Sequence, residues 1–237
     1  MPTLDASTPA RALTTQVGSV ETGICAAFSP PADSWIFVTM AGDPNGGGQT
    51  PSFGTPTGGT GLSWTQIASV NNASGGCFVV WRAYNASLQT GIQIQTQITW
   101  SGAVVAGSGY WVDVWTGCAL SQAGAATPFT TTNTGPSTQN FGVTTTAPGS
   151  RVVGAGLDWN VTTPAPTSSD TIDAYTFASH TTGGRVIKGA DTPAAGTPVT
   201  VNLVWGAGSP IGTYVAYEIL GAASNDGTYQ LTSDLYF

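Results

Sequence analysis

Charge is what this chain has least of. Only 7% of its 237 residues are Asp, Glu, Lys or Arg, against about 25% in an ordinary soluble domain. The five cations are Arg11, Arg82, Arg151, Arg185 and Lys188, and the formal net charge is −7. Positive charges this few and this scattered cannot follow a phosphate backbone. Nor do they attract an anionic membrane surface, so neither nucleic acid nor membrane is an expected partner. Histidine occurs once, at His180, and glutamate twice, at Glu21 and Glu218. No nucleophile elbow, phosphate loop or metal-ligand series appears, and the carboxylates are scattered rather than paired as a glycosidase needs. The expectation is a protein without catalytic residues, cofactor or metal.

The three cysteines, Cys25, Cys77 and Cys118, are odd in number and widely spaced. That is neither a disulfide framework nor a zinc pattern. Each lies in or beside an apolar run, where a free thiol acts as a small hydrophobe. No apolar run approaches the length of a membrane span. The opening Met1-Pro-Thr-Leu-Asp lacks the basic start and apolar core of a signal peptide, so synthesis in the cytoplasm without an export signal is expected. No segment sustains a helical period.

What the chain does have is aromatic residues, glycine and alternation. Aromatics make up 10% and include 8 Trp, which excludes the composition of a disordered chain. The 32 Gly and 15 Pro punctuate short apolar runs. The stretch from Gly59 to Tyr84 reads as a hairpin. Leu62, Trp64, Ala68 and Val70 share one face of its first strand, Asn71 to Gly76 form the turn, and Cys77 to Trp81 continue the second strand. Ile92, Ile94 and Ile98 alternate with Gln93, Gln95 and Gln97, which predicts a strand with one buried face. Gln16 to Phe28 reads as a strand. So does Ser34 to Met40, too continuously apolar to face water. In the strand Gly109 to Gly117, Trp111, Asp113 and Trp115 lie on one face and Tyr110, Val112 and Val114 on the other.

The pattern then recurs. Gln139 to Thr146 and Arg151 to Trp159 are strands. Thr171 to Ser179 and Gly184 to Lys188 form a hairpin around Thr181-Thr-Gly-Gly. Val199 to Trp205 ends in a Trp as Ile92 to Trp100 does, and Tyr214 to Gly221 matches Tyr110 to Gly117. These observations predict an all-β fold: a β-sandwich, jelly-roll or concanavalin-like, with about a dozen strands in two pseudo-repeated halves. Residues 1–16 read as an N-terminal arm. Residues 17–237 read as one large sandwich with halves 17–118 and 138–221, the alternative being two small tandem sandwiches.

Two sets of residues are candidate contacts. Trp111, Asp113 and Trp115, with Asp158 and Trp159, could form a face that grips a glycan or a partner, indoles stacking on a sugar while a carboxylate accepts its hydroxyls. Leu4 in the arm and the apolar Leu235, Tyr236 and Phe237 are candidate assembly contacts, because a free apolar strand end is a natural place for another chain to pair.

The segments Leu4-Asp-Ala-Ser-Thr-Pro-Ala, Leu62-Ser-Trp-Thr, Val152-Val-Gly-Ala-Gly-Leu-Asp-Trp-Asn and Ala216-Tyr-Glu-Ile resemble a family of β-sandwich proteins of bacteriophages infecting actinobacteria and of their hosts. The resemblance runs from about Leu4 to Leu220. Its motifs are core tryptophans and turn glycines, and no catalytic residues come with it. It implies a structural virion protein, a minor tail or capsid decoration component, made in the host cytoplasm and working by assembly with other virion subunits or with itself. The alternative function is a carbohydrate-binding host-attachment module that uses the Trp-lined sheet face on a host surface glycan.

Overall fold

The computed structural model describes residues 1–43, 48–72, 76–102, 109–130, 138–158, 165–176, 182–188, 193–206 and 212–222. All sixteen elements among them are strands, so the fold is all-β, as the alternation implied. The first nine are β1 (Thr3–Leu4), β2 (Ala12–Val17), β3 (Val20–Ile24), β4 (Ser34–Gly42), β5 (Pro51–Phe53), β6 (Thr65–Asn72), β7 (Gly76–Asn85), β8 (Gln95–Trp100) and β9 (Gly109–Thr116). They join in the order β5-β8-β3-β2-β9-β4-β7-β6, with β1 also on β9. The sheet folds over on itself at β2. Ala12 and Leu13 pair with β9, and Thr14 to Val17 pair with β3. Inside the fold, Val38 and Met40 of β4 and Tyr110 and Val112 of β9 pack with Ile94, Ile98 and Trp100.

The remaining strands are β10 (Ala126–Thr130), β11 (Thr138–Thr144), β12 (Arg151–Asp158), β13 (Thr171–Thr176), β14 (Thr182–Ile187), β15 (Pro198–Val204) and β16 (Gly212–Ile219). They form a sheet β10-β16-β12-β14-β13 and a two-stranded sheet β11-β15. The order β16-β12-β14-β13 repeats β9-β4-β7-β6, and β11-β15 repeats β3-β8. The register repeats too. Met40 pairs with Tyr110 as Gly156 pairs with Tyr214, and Glu21 pairs with Ile98 as Gln139 pairs with Leu203. The sequence repeat is thus a structural one.

The halves keep their cores full by exchanging volume between facing sheets. In the first half, Val38 and Met40 are large, and β3 offers Gly23, where an added Cβ would lie 2.7 Å from the Tyr110 ring. In the second half the bulk sits on the other sheet. Phe141 replaces Gly23, while Gly154 and Gly156 replace Val38 and Met40. A Cβ on Gly154 would lie 2.8 Å from Phe141, and one on Gly156 would lie 2.6 Å from Tyr214. Close packing permits such a swap because total volume is conserved.

The two large sheets then pack against each other. Phe37, Phe78, Val80, Trp111 and Trp115 from the first half meet Val153, Leu157, Val215, Tyr217 and Ile219 from the second. Phe37 stacks on Tyr217 with centroids 5.5 Å apart. Strand β9 is therefore buried on both faces. Its Tyr110, Val112 and Val114 enter the first-half core, and Trp111 and Trp115 enter the layer between the halves.

Several sequence expectations change. Residues 1–16 are not a free arm. Thr3 and Leu4 pair with Thr116 and Trp115, the Asp5 amide donates to Val114 O at 2.8 Å, and the Val114 amide donates to Thr8 Oγ1 at 3.0 Å. Gln16 to Phe28 is not one strand but part of a hairpin, turning at Gly18-Ser19 with Gly18 at φ 62°. The predicted common face of Leu62, Trp64, Ala68 and Val70 is split, because a bulge between Gln66 and Ala68 shifts the register and one extra residue inverts the side-chain alternation. Leu62 and Trp64 pack on the first-half core, whereas Ala68 and Val70 pack between the halves. Gly183 and Gly184 lie inside β14, paired with Tyr175 and Ala174, so the second hairpin turns before them.

Candidate functional site

The first expected contact face is a buried layer. Trp111, Asp113 and Trp115 are 2%, 1% and 0% exposed, and Asp158 is fully buried. The reason is the second half, whose large sheet covers the face of β9 that carries them. These four residues are therefore not surface contacts for a glycan or partner. Trp159 lies outside the described residues, as do Leu235, Tyr236, Phe237 and His180. Leu4 is half-buried against the layer between the halves, not available for a neighbour.

That layer has a polar centre. Arg185 of β14 forms a buried ion pair with Asp113. Arg11 pairs with Asp173, whose other oxygen accepts from Trp111 Nε1 at 3.1 Å. Tyr217 and Thr39 share a hydroxyl hydrogen bond of 3.1 Å. Burial pushes the Asp113 carboxyl above its ordinary range; Arg185 pulls it down, and nearby Asp173 pushes it up. The arrangement locks two sheets in one register and has no opening for a substrate.

The glutamates are also structural. Glu21, fully buried, accepts from Trp100 Nε1 at 2.8 Å. Glu218 accepts from the Ala125 amide at 3.0 Å and the Thr146 hydroxyl at 2.8 Å. Burial opposes its charge, but bonds from Ala125, Ser150 and Thr146 bring its pKa below the ordinary value. The three cysteines are free, with Cys25 and Cys77 buried. Burial raises all three thiols, Cys118 to about 12, which makes them poor nucleophiles. Among the described residues no three metal-ligating side chains cluster.

The open site lies where the layer between the halves runs out. The face of β4 and β7 that buries Phe37 and Val80 continues past the edge of the second half. There it surfaces as Trp35, Arg82 and Tyr84, each half-buried. Trp35 pairs with Tyr84 across the two strands, with ring centroids 5.3 Å apart and planes tilted by 47°. The Arg82 guanidinium carbon lies over the Trp35 ring at 5.9 Å, within range of a cation–π contact. Together they line a groove of about 500 Å³, walled by Ser63, Thr65 and Ser121.

The groove is held in shape from behind. The Trp35 indole donates to Ala119 O at 2.9 Å. The Tyr84 hydroxyl donates to Asp33 Oδ1 at 2.6 Å, a bond that holds the phenol above its usual pKa. Asp33 is the one non-glycine with positive φ among the described residues, at 56°. Asn85 fixes the turn carrying it by donating to Pro31 O at 2.7 Å. Arg82 itself makes no ion pair or hydrogen bond. Of the other cations, Arg11, Arg185 and Lys188 pair with carboxylates, and Arg151 donates to the carbonyls of Pro2 and Lys188.

The sequence reading missed this groove. Ser34 to Met40 looked too apolar to meet water, yet its second residue, Trp35, does. The available signal was Arg82 and Tyr84, which interrupt the apolar run of β7 with period two.

The fold and groove define an all-β protein of two fused, internally repeated halves with an open aromatic surface at their margin. No family model, curated protein or solved structure matches the chain.

Proposed function

We propose that this chain acts by assembly, as a structural protein on the tail or capsid surface of a bacteriophage infecting actinobacteria. The reading draws on the resemblance given above. The observation that carries it is the outer face of β2, β3 and β8. Leu13 and Ile24 stand opposite each other, as do Thr15 and Thr22, and Val17 and Val20; Gln95, Gln97 and Thr99 continue the rows. Leu13, Val17 and Ile24 are 50%, 80% and 46% exposed. No charged side chain interrupts this face.

The second half serves as an internal control. There the positions of Val20, Thr22 and Ile24 are held by Thr138, Asn140 and Gly142, and that of Gln97 by Asn202. The shared architecture does not require an apolar outer face, so its presence on one half alone points to a function there. Exposed apolar patches of this kind mark contact surfaces. The occupant is the uncharged surface of a neighbouring virion subunit.

The test is Val17→Lys with Ile24→Lys, followed by incorporation into particles. Both side chains point to solvent, so the variant should fold with stability within about 0.5 kcal/mol of the parent per site and fail to enter particles. Normal incorporation of the folded variant, or turnover of a glycan by the parent, would contradict the proposal.

A further inference from the structure

Beyond assembly, the groove at the margin of the two halves has the composition of a ligand site. We propose that Trp35, Arg82 and Tyr84 bind an acidic saccharide, the sugar ring lying on the aromatic pair and a carboxylate meeting the Arg82 guanidinium. Four observations lead there.

The first is the state of Arg82. In a chain of net charge −7 with five cations, it alone has a guanidinium that no carboxylate or carbonyl occupies. A guanidinium presents its donors as a planar fork that matches a carboxylate. It is also half-buried, and burial lowers its pKa without discharging it. Partial removal from water strengthens any ion pair it forms.

The second is the aromatic pair. Half-exposed Trp and Tyr side by side offer an apolar surface with polar edges, suited to the C–H faces of a sugar ring. The third is the wall. Exposed Ser63, Thr65 and Ser121 can exchange hydrogen bonds with ring hydroxyls, and none carries a charge that would repel an acid. The nearest carboxylate, Asp33, sits behind Tyr84 and is engaged by its hydroxyl. The fourth is rigidity. The bonds from Trp35 to Ala119, Tyr84 to Asp33 and Asn85 to Pro31 fix the groove before any ligand arrives, which lowers the entropy lost on binding. The strained backbone of Asp33 fits this: such conformations persist where surrounding structure enforces them, and they gather at ligand sites.

Titration calorimetry on the intact chain tests the proposal with three probes: an oligogalacturonate, a neutral glucose oligosaccharide of equal length, and a glycerol phosphate oligomer. The oligogalacturonate should bind and the neutral oligomer should bind at least about tenfold more weakly, since charge-assisted bidentate bonds exceed neutral ones by that margin. Arg82→Gln should abolish the preference for the acid. Arg82→Lys, which keeps the charge and loses the fork, should fall between. Because Arg82 makes no ion pair, both variants should unfold at nearly the parent temperature, and Arg82→Lys remains readable if Arg82→Gln misfolds. Equal binding of acid and neutral probes, no binding of either, or an acid preference that survives Arg82→Gln would overturn the proposal. Binding of the phosphate oligomer alone would overturn the carboxylate assignment. The result is independent of particle incorporation, so the assembly reading and this one stand or fall separately.

Discussion

Arg185→Met should destabilise the protein by about 3–5 kcal/mol, the usual result of stripping one partner from a buried ion pair. The loss comes from Asp113, which stays 1% exposed with no cation beside it. The internal repeat suggests the compensating change. Val80 occupies the place of Arg185 in the first half, and Tyr217 that of Asp113 in the second. Arg185→Val combined with Asp113→Val should recover much of the loss, and a double-mutant cycle should give a strong coupling.

The deficit should also depend on pH. Without Arg185, burial and Asp173 both push the Asp113 carboxyl upward. A carboxyl whose folded pKa exceeds its unfolded value favours the folded state below the unfolded pKa, and that contribution is lost as pH rises through the folded pKa. The difference between variant and parent should therefore shrink from pH 7 toward about pH 4. Urea denaturation of both proteins at the two pH values measures it, with the opposite slope from Glu218 cancelling in the difference. A deficit under about 1 kcal/mol, or one that grows on acidification, would mean the pair does not hold the halves together.

Ile94→Ala should cost about 2–5 kcal/mol, whereas Gln95→Ala should stay within about 0.5 kcal/mol. Ile94 is 0% exposed, packed with Ile98 and Tyr110, and Gln95 on the next position faces solvent. Chemical denaturation reads both directly. Equal costs would contradict the register of the strand against β3.

This strand was the most legible part of the chain, and the reason is physical. One of its faces meets the core and the other meets water, so the alternation of Ile and Gln records its surroundings. The repeat was legible for a similar reason, since Trp100 and Trp205 end equivalent strands and Tyr110 and Tyr214 fill equivalent cores. Strand β9 was harder. Its alternation of Trp and Asp with Tyr and Val looks like a wet face and a dry face, yet both are buried. A carboxylate between indoles normally signals exposure. Here its partner Arg185 lies 72 positions away, in the other half. The bulge at Ile67 was invisible because one extra residue inverts the pattern without changing composition. The groove was hidden because what exposes Trp35, Arg82 and Tyr84 is the place where the second half stops, a tertiary fact that no local pattern carries.

The most direct test of the central claim is a cryo-EM reconstruction of the assembled particle with this chain located in it. The account predicts the chain on the tail or capsid surface, with Leu13, Val17 and Ile24 covered by a neighbouring subunit. A particle that lacks the chain, or one that holds it with the β2–β3–β8 face open to solvent, would contradict the account.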